Sequence, residues 1–284
     1  MFALDTGALL SALVVLLVAV FAYYHTRQYW PAWEQKEGKE ERFGRLAGQW
    51  PLLYQVSGAV AVFVTFFTYV HMAPLGVGVQ SYASLVVGII TFFMVFMGWT
   101  DLYTMKAPRE MAAVCLWFII PLGLTGVILG QYALPNQEFI SFFYQNPYLD
   151  HWVQFIAYLF VLALIHMFVP SNQLGDGDVK ALWIVGFGLE PLVGFIPAAY
   201  FWGFAAVIQV LSLFIFAPLF GWGKVVHDPM KKSRMAINRL VSRLFRTKRE
   251  LIPAYNSRAT PLLPAIGLAS VAGTLLLTGF TLVI

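Results

Sequence analysis

Apolar residues recur along this chain in runs of about 18–20, the length a helix needs to cross a bilayer, with charged or proline-bearing stretches between them. Eight runs are expected to be spans, at approximately 7–24, 52–72, 80–99, 111–131, 152–170, 179–196, 198–221 and 261–283. Glu190-Pro191 and Pro197 interrupt the sixth and seventh, so one of these is expected to be kinked or re-entrant. The predicted fold class is all-α, a polytopic membrane helix bundle of about eight transmembrane spans. Residues 1–79 hold two N-terminal spans and a charged loop, and residues 80–284 hold the rest, including a basic segment at 223–260.

Composition agrees with the pattern. Of 284 residues, 60% are hydrophobic and 11% charged, far from the roughly 25% charged of a soluble domain. The net charge of +4 could suggest nucleic acid, but the placement of the charges gives it a topological cause, and no nucleic-acid partner is expected. Lys and Arg number five in 25–50, two in 101–110, one at Lys180 and ten in 223–260, which accounts for all 18. In an eight-span topology every one falls on the same side. By the positive-inside rule that side is the cytoplasm, with both termini outside and the chain in the cytoplasmic membrane. The opposite side keeps Asp5, Glu138 and Asp150. The first run lacks a basic n-region and carries Asp5, so it is expected to remain as a span rather than act as a cleaved signal.

Two polar segments call for structures of their own. The mixed charges from Glu34 to Arg45 stand at helical spacings and predict a short solvated helix. From Met230 to Arg249, Ile237, Leu240, Val241, Leu244 and Phe245 recur at helical spacing, with Arg239, Arg243, Arg246, Lys248 and Arg249 among them. That segment predicts an amphipathic helix on the inner surface, with membrane lipids as its partner.

The chemistry lies with the acids. An ionisable group at a helix centre in the bilayer costs about 2.5–3.5 kcal/mol on insertion scales, so its presence there is a functional hypothesis by default. Asp101 ends the third run, and Asp178 opens the sixth within Leu174-Gly175-Asp176-Gly177-Asp178-Val179-Lys180. The topology sets both at the cytoplasmic face. Two carboxylates held close in a poorly solvated site cannot both ionise easily, so one keeps its proton and the pair supplies an acid and a base together. Such a pair activates water against a peptide carbonyl and titrates as a unit. Taken singly, each acid has a structural alternative: a helix N-cap for Asp178 and an interfacial turn before Pro108 for Asp101.

Gly175-Asp176-Gly177-Asp178-Val179-Lys180 resembles the GxGDxK signature of the type IV prepilin peptidases, GxGD membrane aspartyl proteases that include the preflagellin peptidases. Asp101 through Pro108 is similar to that family's first catalytic segment, and Pro261 through Gly267 to the approach to its final helix. The three segments stand in the family's order and span roughly residues 80–283. The resemblance implies that Asp101 and Asp178 are the catalytic pair, that Gly175 and Gly177 shape the loop, and that Lys180 and Asp176 are supporting neighbours. It also implies that 80–284 is a membrane aspartyl peptidase domain.

The implied function is an aspartic endopeptidase that removes short basic leader peptides from prepilin-like or preflagellin-like precursors at the cytoplasmic face, with no cofactor and no metal. Ala107 and Arg109 depart from the family's usual residues there. Larger members of the family carry a four-cysteine zinc segment and methylate the new amino terminus; the 25–50 loop has no cysteine, so methyltransferase activity is not expected. Two other classes compete. An ion- or proton-coupled transporter or channel would use Asp101, Asp178 and Glu190 as intramembrane acids. A non-catalytic scaffold would tolerate loss of both aspartates. Glu190 beside Pro191 and His166 near the end of the fifth run read as structural groups, and Cys115 as a small core residue. The chain contains neither GxSxG nor HExxH.

Overall fold

Six long helices account for most of the described chain, and each overlaps one of the first six apolar runs. The computed structural model describes residues 6–34, 36–37, 40–41, 46–73, 77–104, 107–128, 151–168 and 176–193, together with Met235 and Arg239. The long helices are α1 (Thr6–Thr26), α3 (Trp50–His71), α4 (Val77–Thr104), α5 (Arg109–Ile128), α6 (His151–Phe168) and α7 (Asp176–Val193). Four of the six, α1, α3, α4 and α5, are long and apolar enough to cross a membrane. In α6 the apolar stretch is the shorter Phe155–Leu164. The runs at 198–221 and 261–283 lie outside the described residues. So does most of the basic amphipathic segment, of which Met235 and Arg239 are described, both helical and exposed.

The outward faces of these helices are as apolar as their inward ones. Leu10, Leu13 and Leu17 on α1, Phe63, Phe67 and Val70 on α3, and Ile156, Phe160 and Met167 on α6 are all exposed. An apolar outer surface of this kind, in a chain with four helices of spanning length, is that of an integral membrane protein. Among the candidate spans, α4 is the one enclosed by protein: 83% of its apolar window is buried, against 39% for α1 and 44% for α3 and α5. It is the axis of the bundle. The residue that lets α1 and α3 close on it is Gly88, where a Cβ would lie 2.9 Å from Val15 Cγ2 and 3.3 Å from Thr65 Cβ.

The charged loop departs from the expected short helix over Glu34–Arg45. A single 3-10 turn (Arg27–Tyr29) leads into the five-residue helix α2 (Trp30–Glu34), with Pro31 in its first turn. Beyond it, β1 (Lys36–Glu37) and β2 (Glu40–Glu41) form a two-residue antiparallel ladder. In register, Lys36 stands opposite Glu41 and Glu37 opposite Glu40. Residues 42–45 lie outside the described residues.

α7 is gripped on three sides, and glycine makes each grip possible. A Cβ on Gly186 would lie 2.7 Å from the Tyr158 ring and 2.9 Å from Leu162 Cδ1, both on α6. One on Gly188 would lie 2.7 Å from Ile90 Cδ1 and 3.0 Å from Val86 Cγ1, both on α4. The third contact is between backbones: Gly123 of α5 sits against the carbonyl of Phe187. Pro191 has no N–H to give that carbonyl, so the helix leaves it without its usual i+4 donor. Glycine lets the neighbouring backbone close over it, as small residues do between membrane helices.

Candidate functional site

Asp101 sits inside α4 rather than in a turn beyond it, because the helix continues to Thr104, past the expected limit at 99. Two threonine hydroxyls are satisfied along it, with Thr100 Oγ1 donating to the Met97 carbonyl at 2.8 Å and Thr104 Oγ1 to the Thr100 carbonyl at 2.8 Å. Trp99 stacks on Tyr103 with ring centroids 6.2 Å apart. Asp101 keeps only 5% of its surface. It is a carboxyl enclosed near the end of the most buried helix.

Asp178 lies in the first turn of α7 and is half-buried. The helix begins at Asp176, so Asp178 is its third residue rather than its N-cap. An acid there complements the positive end of the helix dipole. Gly177 and Asp176 occupy the same turn. Lys180 is half-buried one residue beyond Val179, and Gly175 lies outside the described residues.

The packing sets the register between the two acids. Gly188 of α7 rests between Val86 and Ile90 of α4, and near the other end Gly126 of α5 adjoins both Tyr82 of α4 and Pro191 of α7. Rising numbers on α4 thus meet falling numbers on α7, and the helices run antiparallel. From the Gly188 contact, Asp178 is ten residues back, about 15 Å at 1.5 Å per residue, and Asp101 is about 20 Å along α4 in the same direction. The acids stand at one end of the bundle, about one helical turn apart in height. At about 100° per residue, Asp101 points within about 20° of Ile90, on the stripe of α4 that faces α7. Asp178 is turned about 80° from Gly188, above buried Ala181, Leu182 and Val185. Packed helix axes lie about 8–10 Å apart, so the two acids share one end of the α4–α7 seam without being aimed directly at each other.

Glu190 occupies the opposite end of α7, fully enclosed between α4 and α5 in the neighbourhood of Tyr82. It stands about 18 Å along the helix from Asp178, too far to join the pair. The His166 side chain lies outside the described residues. Cys115 is buried in the core on α5. Among the described residues no cluster of His, Cys, Asp or Glu could hold a metal ion.

Two hydrogen bonds near the end of α4 and the start of α5 had no signal in the sequence. Trp33 Nε1 donates to Glu110 Oε2 at 2.9 Å, and Trp50 Nε1 to Glu34 Oε1 at 2.7 Å. Glu110 in the first turn of α5 was legible as a dipole-complementing acid. Nothing in the linear order announces its partner 77 residues away.

No family model, no curated protein and no solved structure matches this chain. The resemblance to the prepilin peptidases therefore rests on its three short segments, and any functional reading rests on those segments together with the geometry just described.

Proposed function

We propose that the protein is a membrane aspartyl endopeptidase of the GxGD type, built on eight spans in the cytoplasmic membrane. It removes short basic leaders from pilin-like or archaellin-like precursors at the cytoplasmic face. Asp101 and Asp178 are the catalytic pair. The observation that carries this reading is the antiparallel register of α4 against α7, in which two acids 77 residues apart in sequence arrive at one end of two packed helices. With one carboxyl protonated, the ionised partner takes a proton from water as its oxygen attacks the scissile carbonyl, and the protonated one donates to the carbonyl oxygen. A substrate with a charged leader ahead of an apolar helix rests that helix in the bilayer and brings its boundary to the pair.

The test is conversion of a leader-bearing precursor in membranes carrying each variant. Asp101→Asn and Asp178→Asn keep shape but cannot exchange the proton, so each should abolish cleavage at normal abundance. The double variant should be no worse, because groups that act as a unit are not additive. Asp176→Asn should retain substantial activity. Full processing by abundant Asp178→Asn protein ends this reading, and equal loss in all three single variants points to a damaged loop.

One observation favours a second reading, proton- or cation-coupled transport: besides Asp101, Glu190 is an acid fully enclosed within the same bundle. That reading requires flux that Glu190→Gln abolishes, and no peptide product.

A further inference from the structure

We propose that Trp33 and Glu110 are positioning residues for the acid pair, and that the N-terminal helices clamp the end of α4 that carries Asp101 to the start of α5. The inference rests on the peptidase reading and assigns its unexplained N-terminal spans a task.

The end of α4 and the start of α5 are both held by one aromatic cluster. On the α5 side, the Trp33 indole N–H is bonded to Glu110, nine residues after Asp101. On the α4 side, Trp50 stacks on Phe96 at 6.2 Å and Tyr54 meets Phe96 at 4.6 Å, five residues before Asp101. Trp33 and Trp50 meet edge to face at 5.2 Å, which joins the two grips into one body. The Trp50–Glu34 bond fastens that body to α2. Trp33 and Trp50 are both buried, so an indole N–H that lost its carboxylate would find little water in exchange.

The direction of the grip matters. Phe96 and Asp101 are five residues apart, so they project about 140° from each other around α4. The cluster bears on one face of α4 while Asp101 occupies the face toward α7. Pressure from the aromatic side sets how closely Asp101 approaches Asp178. The Trp33–Glu110 bond fixes the first turn of α5 against the same cluster. Displacing reacting groups by about 1 Å costs up to about a hundred-fold in rate.

The experiment uses the full chain in membranes and a precursor with a short basic leader as probe, with kcat and KM measured separately. Trp33→Phe and Glu110→Leu should each lower kcat about ten-fold while KM stays within about two-fold. Glu110→Gln, whose amide oxygen still accepts from the indole, should keep kcat near the parent value. In a Cys115→Ala background, cysteines replacing Trp33 and Glu110 should be joined by a short bifunctional maleimide, a check on the clamp that needs no activity. Unchanged kcat in Trp33→Phe overturns the positioning role, as does a loss in which abundance falls with rate and Glu110→Gln gives no rescue. Failure to cross-link overturns the clamp. Full processing by Asp101→Asn overturns the peptidase reading itself and this inference with it, a result distinct from the others.

Discussion

Replacing Gly123 by alanine tests the helix packing on which the register depends. A Cβ there would lie 3.2 Å from the carbonyl carbon of Phe187 and inside contact distance of its oxygen. Close approaches of carbon to a carbonyl oxygen stop at about 3.3 Å. Both obstructing atoms belong to the α7 backbone, so no side chain can swing aside and α5 and α7 must part by about 1 Å. Overpacking of this kind costs about 1–3 kcal/mol. Gly58→Ala is the matched control, because its Cβ would meet Ala19 Cβ at an ordinary 3.9 Å and alanine is the better helix former. Unfolding of each variant in mixed micelles of rising denaturing-detergent fraction, followed by helicity, should show Gly123→Ala shifted to lower detergent and Gly58→Ala at or above the parent. The displacement is carried along α7 to Asp178, so precursor processing should fall further than stability alone accounts for. A Gly123→Ala protein as resistant as the parent would refute the close backbone contact, and with it the tight seating of α7.

Gly48 adopts φ of +77°, so Gly48→Val should destabilise by about 1–2 kcal/mol while Gly48→Asn, more at ease in that region, costs less. The same detergent titration reads it, and equal behaviour of the two variants counts against the left-handed turn. Cysteines introduced singly at Lys106 and Lys232 should label from the cytoplasm and one at Asp150 from outside. Labelling of positions 106 and 150 from the same side would sink the eight-span topology.

The helical segments could be read directly, because a bilayer demands long uninterrupted apolar runs and a helix that satisfies its own backbone. Each of the six long helices overlaps a run marked by apolar length alone, and the two acids stood out because charge is costly there. Helix limits were less legible: α4 runs on to Thr104, past the end of its apolar run, which hydropathy alone does not mark. The charges between Lys36 and Glu41 stand at helical spacings, and the backbone there forms a two-residue ladder instead. Only the tertiary structure decided that α4 is the enclosed axis, that Gly188 seats between Val86 and Ile90, and that Trp33 reaches Glu110. The reason is physical: in a membrane, surfaces facing lipid and surfaces facing protein are both apolar. Hydrophobic periodicity therefore says which segments enter the bilayer but is silent on which faces meet, and that is settled by where small residues let backbones close and where a buried N–H finds its carboxylate.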